Sequence, residues 1–204
     1  AIPTFIESDA LPPTPRDIGG FGSTGLFAIK LGDQEYLQEQ SRLDRHFMRM
    51  AISASDLSNC LRGAERVADR YATDSEGKYR GATRRFGCVI VRERNVVAQG
   101  FNVRTSECSE ALGCVREREH ISTGTENDRG CVHAEQAAIQ NYARTGGPSL
   151  EGATVYVNAE PCVMCAKMLL NSGISAIVVP EGVYVTNGLQ FLTDGGIEVR
   201  HVKI

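Results

Sequence analysis

Two short motifs constrain this chain more than anything else in it: His133-Ala134-Glu135, and Pro161-Cys162-Val163-Met164-Cys165. Each opens a segment with helical patterning that stands beside a strand-like run, so the fold has to aim two helix starts at one point. One imidazole and two thiols are three ligands of the kind zinc takes. They leave a fourth position open, which is what separates a catalytic zinc from a closed structural one. A water in that position loses its proton near neutral pH, because the cation stabilises hydroxide. Cys162 and Cys165 stand three apart at a helix start and so point to one side. The partial positive charge there favours the thiolate, and Pro161 suits an early helical position, where its missing N–H costs little. Glu135 need not be a ligand and is free to move protons. Taken alone, Cys-x-x-Cys also reads as a redox pair or half a structural site, and His-x-Glu says almost nothing. The weight lies in the two together.

A chain of 204 residues fits one domain of moderate size with decoration. The net charge of −3 gives no basic footprint for a large nucleic-acid partner, although a local Arg cluster would suffice for a small phosphorylated substrate. No apolar run is long enough to span a bilayer. The first residues lack a basic-then-apolar leader pattern, and Pro12, Pro13 and Pro15 interrupt the place where one would lie. A cytoplasmic, reducing setting is the expectation, in which seven cysteines suggest metal or catalysis before disulfides.

Residues 1–33 read as an irregular arm, with glycines crowded at 19, 20, 22 and 25. The rest, 34–204, reads as one α/β domain. Leu43, Phe47, Ala51, Ala54, Leu57 and Leu61 recur at helical spacing and predict a helix over 34–62. Residues 63–83 are polar and turn-rich, an inserted excursion. Phe86–Arg92 and Val96–Phe101 predict a hairpin about Arg94-Asn95. Residues 103–130 form a long loop, of the length that is usually functional. Helices are expected over 131–144, 161–171 and 186–193, with strands over 153–157, 176–179 and 197–203. That alternation predicts a layered α/β fold. Cys88, inside the first strand, reads as buried core.

Cys131–Ile139, Glu151–Val157 and Glu160–Ile174, with Phe47–Ile52, Gly87–Val91 and Gly100-Phe101-Asn102, resemble deoxycytidylate (dCMP) deaminases of the zinc-dependent cytidine deaminase-like superfamily. The likeness covers 43–62 and 84–204. It implies a three-layer α/β/α fold with a mixed five-stranded sheet between helices. It implies hydrolysis of dCMP to dUMP and ammonia at a catalytic zinc held by His133, Cys162 and Cys165, with zinc hydroxide as nucleophile and Glu135 as proton shuttle. By the same resemblance Asn102 contacts the sugar hydroxyl, and Ala134 offers its backbone N–H to the base carbonyl. A second, structural zinc would take Cys60, Cys108, Cys114 and Cys131, with His120 as the alternative to Cys114. A homo-oligomer, hexamer or dimer, is implied as well. Glu160 borders the pocket without an assigned role, and Arg84, Arg85, Arg104 and Arg116 are candidates for phosphate.

Three departures separate the chain from that pattern. Val103 stands where such proteins carry a glycine linked to nucleotide regulation, and valine forbids conformations glycine permits. The 63–83 segment is longer than its counterpart, and the 1–33 arm has none. The same chemistry on another amino-heterocycle, such as a nucleoside or a modified cytosine nucleotide, is the alternative. A catalytically inactive zinc-stabilised scaffold is the third reading, against which the intact Glu135 and full ligand set speak.

Overall fold

The computed structural model describes residues 33–63, 84–121, 129–147, 149–183 and 186–204. The arm expected over 1–33 and the excursion over 63–83 lie outside the described residues, apart from Asp33 and Gly63, and so does 122–128 of the long loop. The chain divides into two compact units, Ala1–Gln40 and Ser41–Ile204. Of the first only the opening of one helix is described; the sheet and the site belong to the second.

Helix α1 (Asp33–Ser55) buries Phe47, Met48, Ala51 and Ile52 along one stripe. It stops short of the predicted residue 62. Ser55 Oγ donates to the Ile52 carbonyl at 2.6 Å, and the amides of Asp56, Leu57 and Ser58 take tighter turn bonds. Short polar side chains compete with the helical ladder in this way. Leu57, which the periodicity counted into the helix, is 58% exposed, and a 3-10 turn follows at Leu61–Gly63.

Strands β1 (Gly87–Arg92) and β2 (Asn95–Phe101) form the expected hairpin. Its turn is Glu93-Arg94 rather than Arg94-Asn95, because Asn95 pairs with Arg92. Both turn residues have positive φ, 51° and 64°, which suits the twist of a two-residue hairpin. The long loop carries a one-turn helix α2 (Val115–Arg118), and then come α3 (Ala134–Arg144), β3 (Thr154–Val157), α4 (Val163–Asn171), β4 (Ala176–Pro180), α5 (Gly188–Asp194) and β5 (Glu198–Val202).

The five strands lie in the order β2-β1-β3-β4-β5. β1 is antiparallel to both neighbours, while β3, β4 and β5 run parallel, so the sheet is mixed as expected. Strand side chains alternate between faces. Cys88, Ile90, Val155, Val157, Ile177 and Val179 join residues of α3, α4 and α5 in one core. Val89, Val91, Tyr156, Val178 and Val202 join α1 in the other. Helices therefore cover both faces, giving the three layers. Each fully buried side chain, such as Ile90, Ile177 or Leu169, contributes about 1.5–3 kcal/mol. Close approach of α3 to the hairpin depends on Gly100, where a Cβ would stand 2.4 Å from the Ala134 carbonyl oxygen. On the opposite face one charge is buried: Asp44 of α1 accepts from Tyr156 Oη at 2.9 Å and from Arg200 Nε and Nη2 at 2.9 and 3.1 Å, joining α1 to β3 and β5.

Candidate active site

His133 and Cys162 occupy equivalent places in the fold. Each is the N-cap of its helix, α3 or α4, with an extended backbone (φ −76°, ψ 158° and φ −70°, ψ 164°). The helices thus begin at Ala134 and Val163, later than the sequence predicted, and Pro161 precedes the cap instead of opening the helix. The extended cap turns the side chain out of the coil while its carbonyl already accepts the first helical bond, from Ala137 to His133 and from Ala166 to Cys162, both at 2.9 Å. Gln136 Oε1 accepts the His133 N–H at 2.9 Å and locks that cap.

Nδ1 of His133 lies 3.5 Å from Cys162 Sγ and 3.4 Å from Cys165 Sγ, and the three donor atoms all fall within 4.8 Å of one another. Ligand bonds of about 2.0–2.3 Å in a tetrahedron place neighbouring donors about 3.6 Å apart. The residues present therefore fit a zinc ion with three protein ligands. One of the two thiols, that of Cys162, is already held toward the ligand form. The hydrogen bond from Cys165, and after it that of His133, holds the Cys162 thiol down at about 4 against the opposing effect of burial. Cys165 is pushed up by sharing its proton with Cys162 and by burial. His133 is raised by its hydrogen bond to Cys162.

Glu135, in the first turn of α3, is buried. Burial raises its carboxyl above the ordinary range, while the His133 charge and a hydrogen bond with Cys165 pull the other way. Close to it lies Cys88, fully buried and pushed up by burial and by the Glu135 charge. The arrangement is a three-donor group suited to a metal, with one sequestered carboxyl against it.

The family model for the cytidine and deoxycytidylate deaminase zinc-binding region matches residues 62–181, more than half of the chain. This chain belongs to that family. It is 29% identical over 160 residues to the deoxycytidylate deaminase of Saccharomyces cerevisiae, covering 77% of this chain and 44% of the yeast protein. It is 31% identical over 139 residues to that of Schizosaccharomyces pombe, covering 66% and 36%. The chain thus spans less than half the length of these two relatives. Its fold is similar to that of the dCMP deaminase of cyanophage S-TIM5, solved with dCMP and dUMP, at a TM-score of 0.54 and 23% identity, covering 78% of this chain and 96% of that one.

Against this family background the remaining predicted residues can be placed. Ala134 is the first residue of α3, so its N–H has no acceptor within the helix. Asn102 follows β2 and is buried. Its Oδ1 accepts the Phe86 N–H at 2.8 Å and its Nδ2 donates to the Arg84 carbonyl at 3.1 Å. One amide hydrogen and one oxygen lone pair are what it retains for a ligand.

The four cysteines expected to form a second cluster lie within electrostatic reach of Cys131, but among the described residues the one group of three or more metal-type donors within 4.8 Å of one another is His133, Cys162 and Cys165. Val103 and Val132 exchange backbone bonds at 3.0 and 2.8 Å, Thr105 Oγ1 donates to the Gly130 carbonyl at 3.0 Å, and Glu107 Oε2 accepts the Gly130 N–H at 3.1 Å. This lacing brings Cys108 to Cys131. Ser58 Oγ donates to the Asn102 carbonyl and Asn59 Oδ1 accepts the Arg104 N–H, which brings in Cys60. The Cys131 thiol is pushed up chiefly by its hydrogen bond with Cys60, then by burial and by the charges of Cys60, Cys108 and Cys114. Val115 N–H donates to Cys108 Sγ at 3.4 Å, while Cys108 and Cys114 pack with Val115 and Leu61. His120 is exposed and adopts a positive φ of 54°.

The candidate phosphate arginines are engaged within the protein. Arg84 lies 3.8 Å from Glu117, Arg104 pairs with Glu110 at 2.8 Å, and Arg85 donates to the Asp56 carbonyl. Arg116 lays its stem along Gly130 and lies within electrostatic reach of Cys114, Cys131 and Cys162. Sequence reasoning passed over Asn158 and Thr186, which hold backbone at the edge of the site, because neither stands in a motif.

Proposed function

We propose that this chain catalyses the zinc-dependent hydrolysis of dCMP to dUMP and ammonia. The observation that carries the reading is the triangle of His133 Nδ1, Cys162 Sγ and Cys165 Sγ with the buried carboxyl of Glu135 against it. Membership of the family and the names of its yeast relatives support a cytosine nucleotide as substrate. When bound, zinc supplies a Lewis acid that makes water at its open position acidic near neutral pH. Glu135 takes a proton from the attacking water and passes it to ring N3. It then takes the second proton from the hydroxyl now on C4 and gives it to the amine, which leaves as ammonia while the C4–O bond becomes the carbonyl. A carboxyl whose proton affinity is raised by burial suits a carrier that must hold and release the proton in turn. The Ala134 N–H supports the base carbonyl, and the spare capacity of Asn102 takes a sugar hydroxyl.

Cys60, Cys108, Cys114 and Cys131 are assigned a second, closed zinc, supported by the Cys60–Cys131 hydrogen bond, the electrostatic reach of Cys108 and Cys114 to Cys131, and the amide bond to Cys108; binding would draw the four thiols together. Burial of Cys114 and exposure of His120 favour the thiol over the imidazole as the fourth ligand. The partner is a small nucleotide rather than a large nucleic acid, in keeping with the net charge of −3. The assembly is a homo-oligomer, hexamer or dimer, and the setting cytoplasmic. Free thiols at a site suited to metal support a reducing compartment.

Ammonia release from zinc-loaded protein, assayed with dCMP, deoxycytidine, cytidine and guanine, tests the reading. The expected result is a higher kcat/KM on dCMP than on deoxycytidine. Equal or better turnover of deoxycytidine overturns the nucleotide assignment. Release from none of the four, with metal in place, favours the scaffold.

A further inference from the structure

The Pro161–Cys162 peptide is held from outside its own helix. Thr186 Oγ1 donates to the Pro161 carbonyl at 2.5 Å and accepts the Gly188 N–H at 3.2 Å, so the hydroxyl has one orientation. The Thr186 N–H in turn donates to Glu160 Oε2 at 2.7 Å. Glu160 and Pro161 lead into α4, whereas Thr186 and Gly188 lead into α5. The contact is close: a Cβ on Gly188 would stand 1.9 Å from the Pro161 carbonyl oxygen. A backbone carbonyl gripped in this way fixes the plane of its peptide, and with it the φ of the next residue. That residue is Cys162, whose extended cap conformation (φ −70°) delivers Sγ to within 3.5 Å of His133 Nδ1. Pro161 has no N–H with which a neighbour could hold the segment from the other side.

We infer that Thr186 and Glu160 are positioning residues for the metal cradle: together they orient the Pro161–Cys162 peptide so that the Cys162 thiolate meets the ion without reorganisation. The inference rests on the reading of His133, Cys162 and Cys165 as a zinc site. It gives Glu160 a task that needs an acceptor oxygen, not a charge, since the group that it holds is a neutral backbone amide. It also makes the entry to α5 part of the ligand shell, although neither residue touches the ion. Partners that orient a ligand from behind change metal affinity by about 10–100-fold when removed.

Thr186→Val keeps the shape and removes the hydroxyl, Thr186→Ser restores it, and Glu160→Gln keeps the acceptor. The measurement is release of zinc to a chromogenic chelator, with the phase that vanishes in Cys162→Ala taken as the cradle. The thiolate-to-metal charge-transfer band of cobalt-substituted protein is recorded beside it, and melting is followed to confirm the fold. Thr186→Val should release cradle zinc at least about ten-fold faster and shift the cobalt band, while Thr186→Ser and Glu160→Gln stay near wild type. Wild-type release from folded Thr186→Val, or failure of Thr186→Ser to restore retention, overturns the positioning role alone. Wild-type protein without a Cys162-dependent phase overturns the zinc site itself, and the inference with it.

Discussion

Asn158 and Asn102 grip the same stretch of backbone from opposite sides. Asn158, at the end of β3, accepts the Gly87 N–H at 2.9 Å and donates to the Arg85 carbonyl at 3.2 Å. Asn102, at the end of β2, does the same to Phe86 and Arg84. The two carboxamides replace ladder bonds at the point where β1 begins between its neighbours. Asn158→Ala leaves a buried N–H unpaired and should lower stability by about 1–3 kcal/mol. Denaturant midpoints measure this, and a change under about 0.5 kcal/mol would show that water substitutes for the side chain.

Glu135→Gln should fold, bind the same metal and lose turnover by at least about 10²–10⁴-fold, because one group serves several proton transfers. Activity near the wild-type level in metal-replete protein removes Glu135 from the mechanism.

Metal content should be about two zinc per chain in fully loaded protein. Cys108→Ala should lose one zinc and thermal stability, and Cys162→Ala should lose the other. Elemental analysis decides, and a single zinc in wild type eliminates the four-cysteine site.

The buried Asp44–Tyr156–Arg200 group makes a prediction for alkaline pH. Burial first, then the Asp44 charge, raises the Tyr156 phenol well above its ordinary value. Unfolded tyrosine loses its proton near pH ~10, whereas in the fold Tyr156 keeps it beyond that point. The native state therefore holds more protons in this window, and stability falls as pH rises through it. Tyr156→Phe should flatten this decline while costing about 1 kcal/mol at neutral pH. Arg200→Met, which strips the buried carboxylate of its cation, should cost about 3 kcal/mol. Parallel stability curves for wild type and Tyr156→Phe above pH ~10 would refute the linkage.

The strands, the two site helices and the meeting of His133 with Cys162 and Cys165 were legible because each carries a local pattern: alternation of period two, Pro-Cys-x-x-Cys, and His-x-Glu. The end of α1 was not, since Leu57 and Leu61 kept the helical period after the Ser55 hydroxyl had bonded the Ile52 carbonyl and the amides of Asp56, Leu57 and Ser58 had turned to tighter bonds. The hairpin turn was misread by one residue because Asn95, a turn former by type, is the first residue of β2. Thr186 and Asn158 act through backbone groups far along the chain, which no spacing announces. Asp44 did leave a trace: it stands three and four residues before Phe47 and Met48, a charge on the stripe that is otherwise apolar.

The alternation along β1 and β3 gives this molecule two separate interiors, one behind each face of the sheet. Residues of even parity in β1 and odd parity in β3 answer to the chemistry, and their immediate neighbours answer to α1. Selection can rewrite the α1 side, ion group included, without disturbing the thiols. It can likewise repack the face that carries the thiols without reopening the far core. Extensions can be grafted onto one side of such a partition while the cradle on the other stays intact.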